Sequence, residues 1–402
     1  MPLRALLLVC LIVAATSFAV GSAWTRDGNA GTTARATEVH YTFTSRTAVS
    51  FDWRGGPAAM RARIGKRWRT FRAAAARPTP ISATGPYREA RVTGLRAGTA
   101  YRYTIGAVLG TFHTAPTGDF RFDVEADIGA SSDYAAVTPT QAEIAADKPS
   151  FVLVPGDLTY ANDEGQAAVD RHFDDVMTWS RTAAYMPAWG NHEWDDPSDD
   201  LRNYKGRFAI PNAHASPGAP SAGCCGEDWG WFDAGAVRFI SYPEPYSDAT
   251  WRNWSTAAGA VMAAAQRNPR IHFVVTFGHR PAYSSGYHHG DSDLASILDS
   301  FGDRYTKYVL NINGHSHNYE RFTPIHHVVH VTMSGGGAPL EPLSSVDRRT
   351  AFRALHLIHG RISVTPSRLT LQAICGPATS HDELKCHEGS VVDTYAIAAR
   401  MR

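Results

Sequence analysis

The stretch "KYVLNINGHSHNYERF", residues 307–322, joins an apolar run to two histidines that come directly after a glycine. The apolar run suits one buried strand, and Gly314 ends it. His315 and His317 then flank a serine, so both imidazoles leave the chain in the same turn. In α/β proteins, sites collect beyond the carboxyl ends of such strands. The stretch therefore predicts an α/β domain with a functional site at this strand end.

The same arrangement recurs after four other strand-like runs, "RFDVEADIG", "SFVLVPGDLTY", "AAYMPAWGNHE" and "IHFVVTFGH". Each run finishes with a glycine close to a polar side chain that can bind a metal or a substrate. These side chains belong to Asp127, Asp157, Tyr160, Asn191, His192 and His279. Since a rigid sheet can hold such groups close together, the repetition predicts one shared site.

The candidate metal ligands are hard oxygens and imidazoles, and no thiolate is among them. They are Asp127, Asp157, Tyr160, Asn191, His279, His315 and His317. This donor set suits Fe, Mn or Zn better than a structural zinc site built from cysteines. Seven donors exceed what one ion needs beside a substrate, so two ions that share a bridging carboxylate are expected.

These motifs resemble those of the purple acid phosphatases, a branch of the calcineurin-like metallophosphoesterases. The resemblance is carried by Asp127-x-Gly129, "GDLTY", "GNHE", the strand-end His279 and "GHSHNYER", and it extends over residues 36–397. Ala126 and Thr276 depart from the family pattern, but neither departure removes a donor.

The resemblance implies two ligand sets. An Fe³⁺ ion would be bound by Asp127, Asp157, Tyr160 and His317. A divalent ion (Fe²⁺, Zn²⁺ or Mn²⁺) would be bound by Asp157, Asn191, His279 and His315, so that Asp157 bridges the two.

The function that the resemblance implies is a secreted acid phosphatase. It would hydrolyse phosphate monoesters by in-line attack of a metal-bound hydroxide. His192 would serve the leaving group, while His288 and His289 would face the phosphate. One alternative is a phosphodiesterase or nucleotidase on the same metal site. A third hypothesis is a binding or adhesion module without catalysis.

Two domains follow a targeting segment. Short strand-like runs over residues 36–115 predict an all-β, fibronectin type III-like sandwich, and "ARVTGLRAGTAYRYTIG" places a tyrosine after a turn in the manner of a tyrosine corner. Over residues 119–397, apolar runs alternate with helical stretches, which indicates an α/β domain. The resemblance implies two packed β-sheets flanked by helices in this second domain.

The first 23 residues have the order of a signal peptide. Arg4 precedes an apolar run, and small residues follow at 21–23. A membrane anchor is the alternative, although the run is near the lower length limit for a span. Export would place the mature chain outside the cytoplasm, with no membrane association after cleavage.

Composition gives no sign of a macromolecular partner and leaves the oligomeric state open. The 402 residues carry a formal net charge of +1, so electrostatics provides no argument for nucleic acid. The resemblance to the purple acid phosphatases implies small phosphorylated substrates as partners.

Four cysteines remain after Cys10, and an even number suits an oxidising compartment. We expect Cys375 and Cys386 to close one loop, whereas Cys224 and Cys225 can bond to each other or pair elsewhere. A zinc site from these cysteines is the alternative, but no CxxC spacing supports it.

Overall fold

The structure, a computed structural model, describes residues 35–132, 134–195, 200–220 and 226–400. The expected signal peptide at 1–23 and the adjacent Cys224 and Cys225 lie outside these ranges. Within them, no helix has the length and apolar character needed to cross a bilayer.

Eight strands between residues 37 and 113 form an antiparallel sandwich of two four-stranded sheets. They are β1 (Thr37–Ser45), β2 (Ala48–Arg54), β3 (Ala59–Ile64), β4 (Arg67–Arg72), β5 (Ala74–Ala75), β6 (Tyr87–Val92), β7 (Ala100–Ile105) and β8 (Val108–His113). The sheet orders are β1-β2-β6-β5 and β4-β3-β7-β8. In β7, burial alternates along the strand, as expected for one face on a core. The hydroxyl of Tyr101 accepts a hydrogen bond from the backbone N–H of Arg96 at 2.8 Å, which is the geometry of the expected tyrosine corner.

The first sheet of the second domain has six strands in the order β11-β10-β9-β19-β20-β21. They are β9 (Phe120–Val124), β10 (Phe151–Pro155), β11 (Ala184–Ala188), β19 (Ile358–Thr365), β20 (Arg368–Cys375) and β21 (Val391–Ala398). Strands β9, β10 and β11 are parallel, while β19, β20 and β21 continue the sheet antiparallel.

The second sheet has seven strands in the order β12-β13-β14-β15-β17-β16-β18. They are β12 (Trp231–Ala234), β13 (Val237–Ser241), β14 (Phe273–Phe277), β15 (Tyr308–Asn313), β16 (Tyr319–Phe322), β17 (Val329–Met333) and β18 (Thr350–Ala354). Its central strands β13, β14, β15 and β17 are parallel and fully buried, which explains their continuous apolar sequences.

Helices connect these strands. They are α1 (Val137–Asp147), α2 (Ala161–Glu164), α3 (Ala167–Ser180), α4 (Arg202–Lys205), α5 (Thr250–Arg267) and α6 (Ser292–Arg304), with a short 3₁₀ turn at Asn191–Glu193. Helix α6 begins after Asp291, whose carboxylate accepts hydrogen bonds from the N–H groups of Asp293 and Leu294. The arrangement confirms the predicted fold class, an N-terminal antiparallel sandwich followed by an α/β domain with two mixed sheets.

The sandwich packs on the α/β domain through a shared apolar core and a buried ion network. Phe43 of β1 lies 5.8 Å from Phe151 and 6.3 Å from Phe232, measured between ring centroids. Arg207 then donates to the carboxylates of Glu38 at 2.9 Å and Asp170 at 2.8 Å. Burial of these charges is tolerated because they are paired across the contact.

The disulfide between Cys375 and Cys386 confirms the expected pairing of these two cysteines. It closes a loop at the end of β20. Strands β4, β5 and β8 in the sandwich and the C-terminal strands β18 to β21 were not predicted, although β20 alternates buried and more exposed residues as a strand should.

Candidate metal centre

The ligand candidates follow the carboxyl ends of five parallel strands in two facing sheets. β9, β10 and β11 are neighbours in the first sheet and lead to Asp127, Asp157 and Asn191. β14 and β15 are parallel neighbours in the second sheet and lead to His279 and His315. Because all five strands end on the same side, their loops converge. We call the resulting group the strand-end cluster; it comprises Asp127, Asp157, Tyr160, Asn191, His279, His315 and His317.

One part of the strand-end cluster gathers Asp127, Asp157 and His317, which offer ligand atoms within 4.8 Å of one another. The Nε2 atom of His317 lies 3.5 Å from Oδ1 of Asp127 and 2.9 Å from the hydroxyl of Tyr160. Two carboxylates, an imidazole and a phenol therefore face a common point.

The other part gathers Asp157, His279 and His315, again within 4.8 Å. The Nε2 atom of His279 lies 3.1 Å from Oδ2 of Asp157, from Oδ1 of Asn191 and from Nδ1 of His315. Asp157 thus belongs to both parts. The two parts bring together the residues of the two expected ligand sets, whose binding of ions stays a prediction, and the sharing of one carboxylate is what a bridged pair of ions requires.

Charge at the strand-end cluster also fits bound cations. Burial alone would lower the pKa of His279, but the carboxylate of Asp157 raises that pKa to about 10. For His317, burial again lowers the pKa, and the hydrogen bond to Asp127 raises it to about 9. The buried carboxylates therefore need compensating positive charge, which metal ions would supply.

Backbone contacts hold two of the imidazoles so that one nitrogen faces the cluster. The Nδ1–H of His317 donates to the carbonyl of Pro339 at 2.7 Å, and that of His279 donates to the carbonyl of Pro155 at 3.1 Å. A partner on one ring nitrogen fixes the tautomer and leaves the other nitrogen as a ligand.

His315 has a different partner. Nη1 of Arg280 donates to Nε2 of His315 at 2.8 Å, so in this arrangement Nδ1 carries the proton and points at His279. If His315 binds a metal through Nδ1, its proton must move to Nε2 and the contact with Arg280 must break. Arg280 is also anchored through Nε to the buried carboxylate of Glu244 at 3.0 Å.

The backbone of the ligand loops is strained. Asp127, Asp157, His315 and His317 have φ angles of 60°, 48°, 75° and 24°. Residues other than glycine rarely adopt this left-handed region, and such strain concentrates at functional sites. Only glycine fits at position 314, because a Cβ there would lie 2.7 Å from Oδ2 of Asp127.

Glu193 joins two of the ligand loops. Its buried carboxylate accepts hydrogen bonds from the backbone N–H groups of Asp157 at 3.0 Å, Leu158 at 2.9 Å and Gly190 at 2.6 Å. His192 has a partner in Asn162, whose Oδ1 lies 2.7 Å from Nδ1 of the imidazole.

The histidines predicted to face the substrate differ in their placement. His192 is half-buried and packs on the ring of Tyr160, with the centroids 4.3 Å apart. His288 stacks on His315 with the centroids 4.1 Å apart, and its Nε2 lies 3.4 Å from a carboxylate oxygen of Glu341. His289 is exposed to solvent, and its predicted role stays a prediction.

Sequence reasoning missed Arg280 and Asn162. Arg280 comes directly after His279, and Asn162 comes two residues after Tyr160. Proximity to a ligand in sequence is therefore the signal that could have drawn attention to them. It would not have revealed their contacts, because each bonds to a histidine from another strand end.

Residues 120–319 match the family model of the calcineurin-like phosphoesterases. Purple acid phosphatase 21 of Arabidopsis thaliana is 27% identical over an alignment of 312 residues that covers 70% of this chain and 66% of the plant protein. The match thus spans slightly less than two thirds of that relative's length.

Two solved structures share the fold. Purple acid phosphatase PPD1 from yellow lupin (Lupinus luteus) seeds superposes with a TM-score of 0.70 at 18% identity, covering 90% of this chain and 74% of that one. The structure of PhoD superposes with a TM-score of 0.66 at 10% identity, covering 90% of both chains. The chain belongs to the calcineurin-like metallophosphoesterases and is a distant homologue of the purple acid phosphatases.

Proposed function

We propose that the chain is a secreted acid phosphatase that hydrolyses phosphate monoesters at the strand-end cluster. The observation that carries the proposal is the pair of donor groups that share Asp157, with the half-buried His192 beside them. Family membership and the distant homology to purple acid phosphatases support the same reaction class.

Fe³⁺ would be held by Asp127, Asp157, Tyr160 and His317, because a phenolate favours a trivalent ion. A divalent Fe, Zn or Mn ion would be held by Asp157, Asn191, His279 and His315. When bound, the pair supplies Lewis acidity that activates water and offsets charge on the phosphoryl oxygens.

His192 would protonate the leaving oxygen. Oδ1 of Asn162 accepts from its Nδ1–H and leaves Nε2 to carry the proton that is transferred. The ring of Tyr160 supports the imidazole from one side. General-acid catalysis of this kind contributes roughly 10²- to 10⁴-fold to a rate.

Arg280 and His288 would bind phosphoryl oxygens. His288 already lies over His315, and Arg280 would turn its guanidinium toward the substrate once its hydrogen bond to His315 breaks. A guanidinium suits this task because its fork matches the geometry of a phosphate. His289 would contribute only if its loop closed over the substrate.

A groove beside the cluster favours a phosphodiesterase or nucleotidase as the second candidate. The groove has a volume of about 610 Å³ and is lined by Tyr134, Pro339, Leu340 and residues 377–381. Tyr134 packs on Tyr160, and the carbonyl of Pro339 binds His317, so the groove adjoins the proposed ligands. It could accept the second substituent of a diester.

Secretion is supported by the disulfide between Cys375 and Cys386, since disulfides persist mainly in oxidising compartments. The signal-like order of residues 1–23 points the same way.

The test compares p-nitrophenyl phosphate with its bis ester over pH 4 to 8. We expect kcat/KM for the monoester to exceed that for the diester by about tenfold or more, with a maximum below pH 7. A preference for the diester would select the second candidate, and no hydrolysis of either ester by metal-replete protein would contradict both.

Visible absorption tests the iron assignment separately. A ferric ion bound to Tyr160 should colour the purified protein, and Tyr160→Phe should remove the colour. A colourless wild type that contains stoichiometric iron would exclude this ligand.

A further inference from the structure

A second group of acidic residues and a histidine lies beneath α1, away from the strand ends. It comprises Asp123 in the middle of β9, Glu143 and Asp147 on α1, and His359 on β19, and we call it the helix-covered cluster. Asp123, Asp147 and His359 offer ligand atoms within 4.8 Å of one another.

Strand register explains why these residues meet. Asp123 is the cross-strand partner of Arg361, and His359 lies two residues away, on the same face of β19. Glu143 and Asp147 are four residues apart on α1, so they lie on the same side of the helix that covers this face. A helix normally covers a sheet with apolar residues, and here it presents carboxylates.

The buried groups are incompletely satisfied. Both carboxylate oxygens of Asp123 and both ring nitrogens of His359 are buried and make no hydrogen bond of normal geometry among the described residues, although the carboxylate of Asp147 interacts with both side chains. Asp123 and His359 are 0% and 1% exposed. A buried carboxyl group without a hydrogen bond of normal geometry is unfavourable, which favours a further bound group at this place.

Arg121 and Arg361 are close enough to favour a charged Asp123, but neither forms a hydrogen bond with it. Arg361 donates to Asp147 through Nε at 2.7 Å and through Nη2, so it is already engaged. Nδ1 and Nε2 of His359 lie 3.4 Å from Oε2 of Glu143 and 3.8 Å from Oδ2 of Asp147.

We propose that Asp123, Asp147 and His359 bind a divalent transition-metal ion, Zn²⁺ or Mn²⁺, with Glu143 as a further donor at the more open side. A mixture of carboxylates and one imidazole suits these ions better than Ca²⁺ or Mg²⁺, which prefer oxygen alone. The ion would fasten α1 to the first sheet. It would add to the pair at the strand-end cluster and would take no part in hydrolysis.

Metal content measures the proposal directly. The full chain is dialysed against Zn²⁺ or, separately, Mn²⁺, freed of loose ions, and analysed by mass spectrometry. We expect about one ion per chain fewer in Asp123→Asn than in the wild type. The amide has the shape of the carboxylate but lacks its negative charge, so it weakens metal binding with little change in packing.

A matched variant at the strand-end cluster, Asp157→Asn, should lose the other ions and keep this one. Equal metal content in Asp123→Asn and the wild type would overturn the proposal. In that case Asp123 and Asp147 share a proton, and the cluster is a hydrogen-bonded network only.

Anomalous scattering from wild-type crystals at the zinc absorption edge does not depend on any variant. A peak between Asp123, Asp147 and His359 supports the site and identifies Zn²⁺; a peak at the manganese edge in the Mn²⁺ preparation identifies Mn²⁺. Peaks at the strand-end cluster and none beneath α1, with each ion at saturation, would refute the proposal even if Asp123→Asn failed to fold.

Discussion

The strand-end cluster and the helix-covered cluster both combine aspartates with histidines, and the first sheet contributes to both. They differ in the backbone that carries them. Four strand-end residues have left-handed φ angles in tight loops, whereas Asp123, Asp147 and His359 lie in regular strands or a helix. The first cluster also has a half-buried histidine, His192, beside it, and the second is covered by α1.

The same types of side chain therefore have two different roles, a catalytic one in the loops and a structural one in the regular elements. Loops beyond strand ends can aim groups from both sheets at one point and still leave a side open for a substrate. Side chains on regular strands and helices lie buried in the core, where no substrate reaches them and their contacts can only stabilise the fold. Left-handed φ angles at four ligands fit a site where loops aim groups for chemistry, although such angles also occur at six described residues outside it, among them Lys148 at the end of α1.

The largest effect is expected at the residue that both parts of the strand-end cluster share. Asp157→Asn should lower kcat by roughly 10³-fold or more, because it removes the proposed bridging carboxylate and much of the electrostatic stabilisation. Steady-state kinetics with metal analysis measures this. The matched control is Asp233→Asn, a surface-side partner of Arg238 in the second sheet. Retention of full activity by Asp157→Asn would break the assignment of the site.

His192→Ala should lower kcat by about 10²-fold while the metal content stays unchanged. The reason is that the proposed general acid is lost and every ligand is kept. The loss should be greater for an alkyl phosphate than for p-nitrophenyl phosphate, whose leaving group needs less protonation. Equal losses for both esters would contradict this role.

Acid should destabilise the fold through a histidine outside both clusters. Burial lowers the pKa of His330 in β17 to about 3, and neither ring nitrogen has a partner among the described residues. Below about pH 6.5 the unfolded chain binds a proton that the folded chain does not. The free energy of unfolding should therefore fall as the pH drops from 6.5 toward 3, by up to about 1.4 kcal/mol per pH unit.

Urea denaturation at pH 7 and at pH 5 measures this change in the free energy of unfolding. His330→Leu should lessen the loss between the two pH values by about 2 kcal/mol. An unchanged difference would show that His330 is not responsible. His172→Leu serves for comparison, because burial also lowers the pKa of His172 to about 3 and the same reduction is expected.

Arg280→Lys should reduce kcat/KM by about tenfold, because an ammonium cannot reproduce the bidentate contact of a guanidinium with phosphate. Arg280→Met should cost more. Inorganic phosphate should inhibit both variants less than the wild type. If the inhibition constant is the same, Arg280 only positions His315.

The smallest effect is expected beneath α1. Asp123→Asn should leave kcat within about twofold of the wild type, because the helix-covered cluster does not contact the substrate. A large loss of kcat in a folded variant would show that the two clusters are coupled and that the helix-covered cluster is not purely structural.

Much of the strand-end cluster could be predicted because each ligand follows an apolar run directly. Asp127, Asp157, His279 and His315 are local features, visible as a strand, a glycine and a polar residue. The tyrosine corner at Tyr101 could be anticipated in the same way. Family resemblance added the pairing of the ligands into two sets.

The contacts that tune the site could not be predicted. Glu193 binds the N–H groups of a loop 35 residues earlier, and Arg280 bonds to a histidine 35 residues later. No local pattern encodes these distances. The helix-covered cluster was missed for the same reason, since Asp147 and Arg361 are separated by 214 residues.

The sequence by itself indicated the change from β-rich runs to alternating strands and helices and the donors that follow apolar runs, because hydrophobic periodicity and glycine act over a few residues. It did not indicate strands β4, β5, β8 and β18 to β21. Tertiary structure decided which face of β9 meets α1, which nitrogen of each histidine faces the cluster, and which carboxylates lie buried without partners. Those outcomes depend on strand register and on packing between elements far apart in the chain, where no short pattern carries the information.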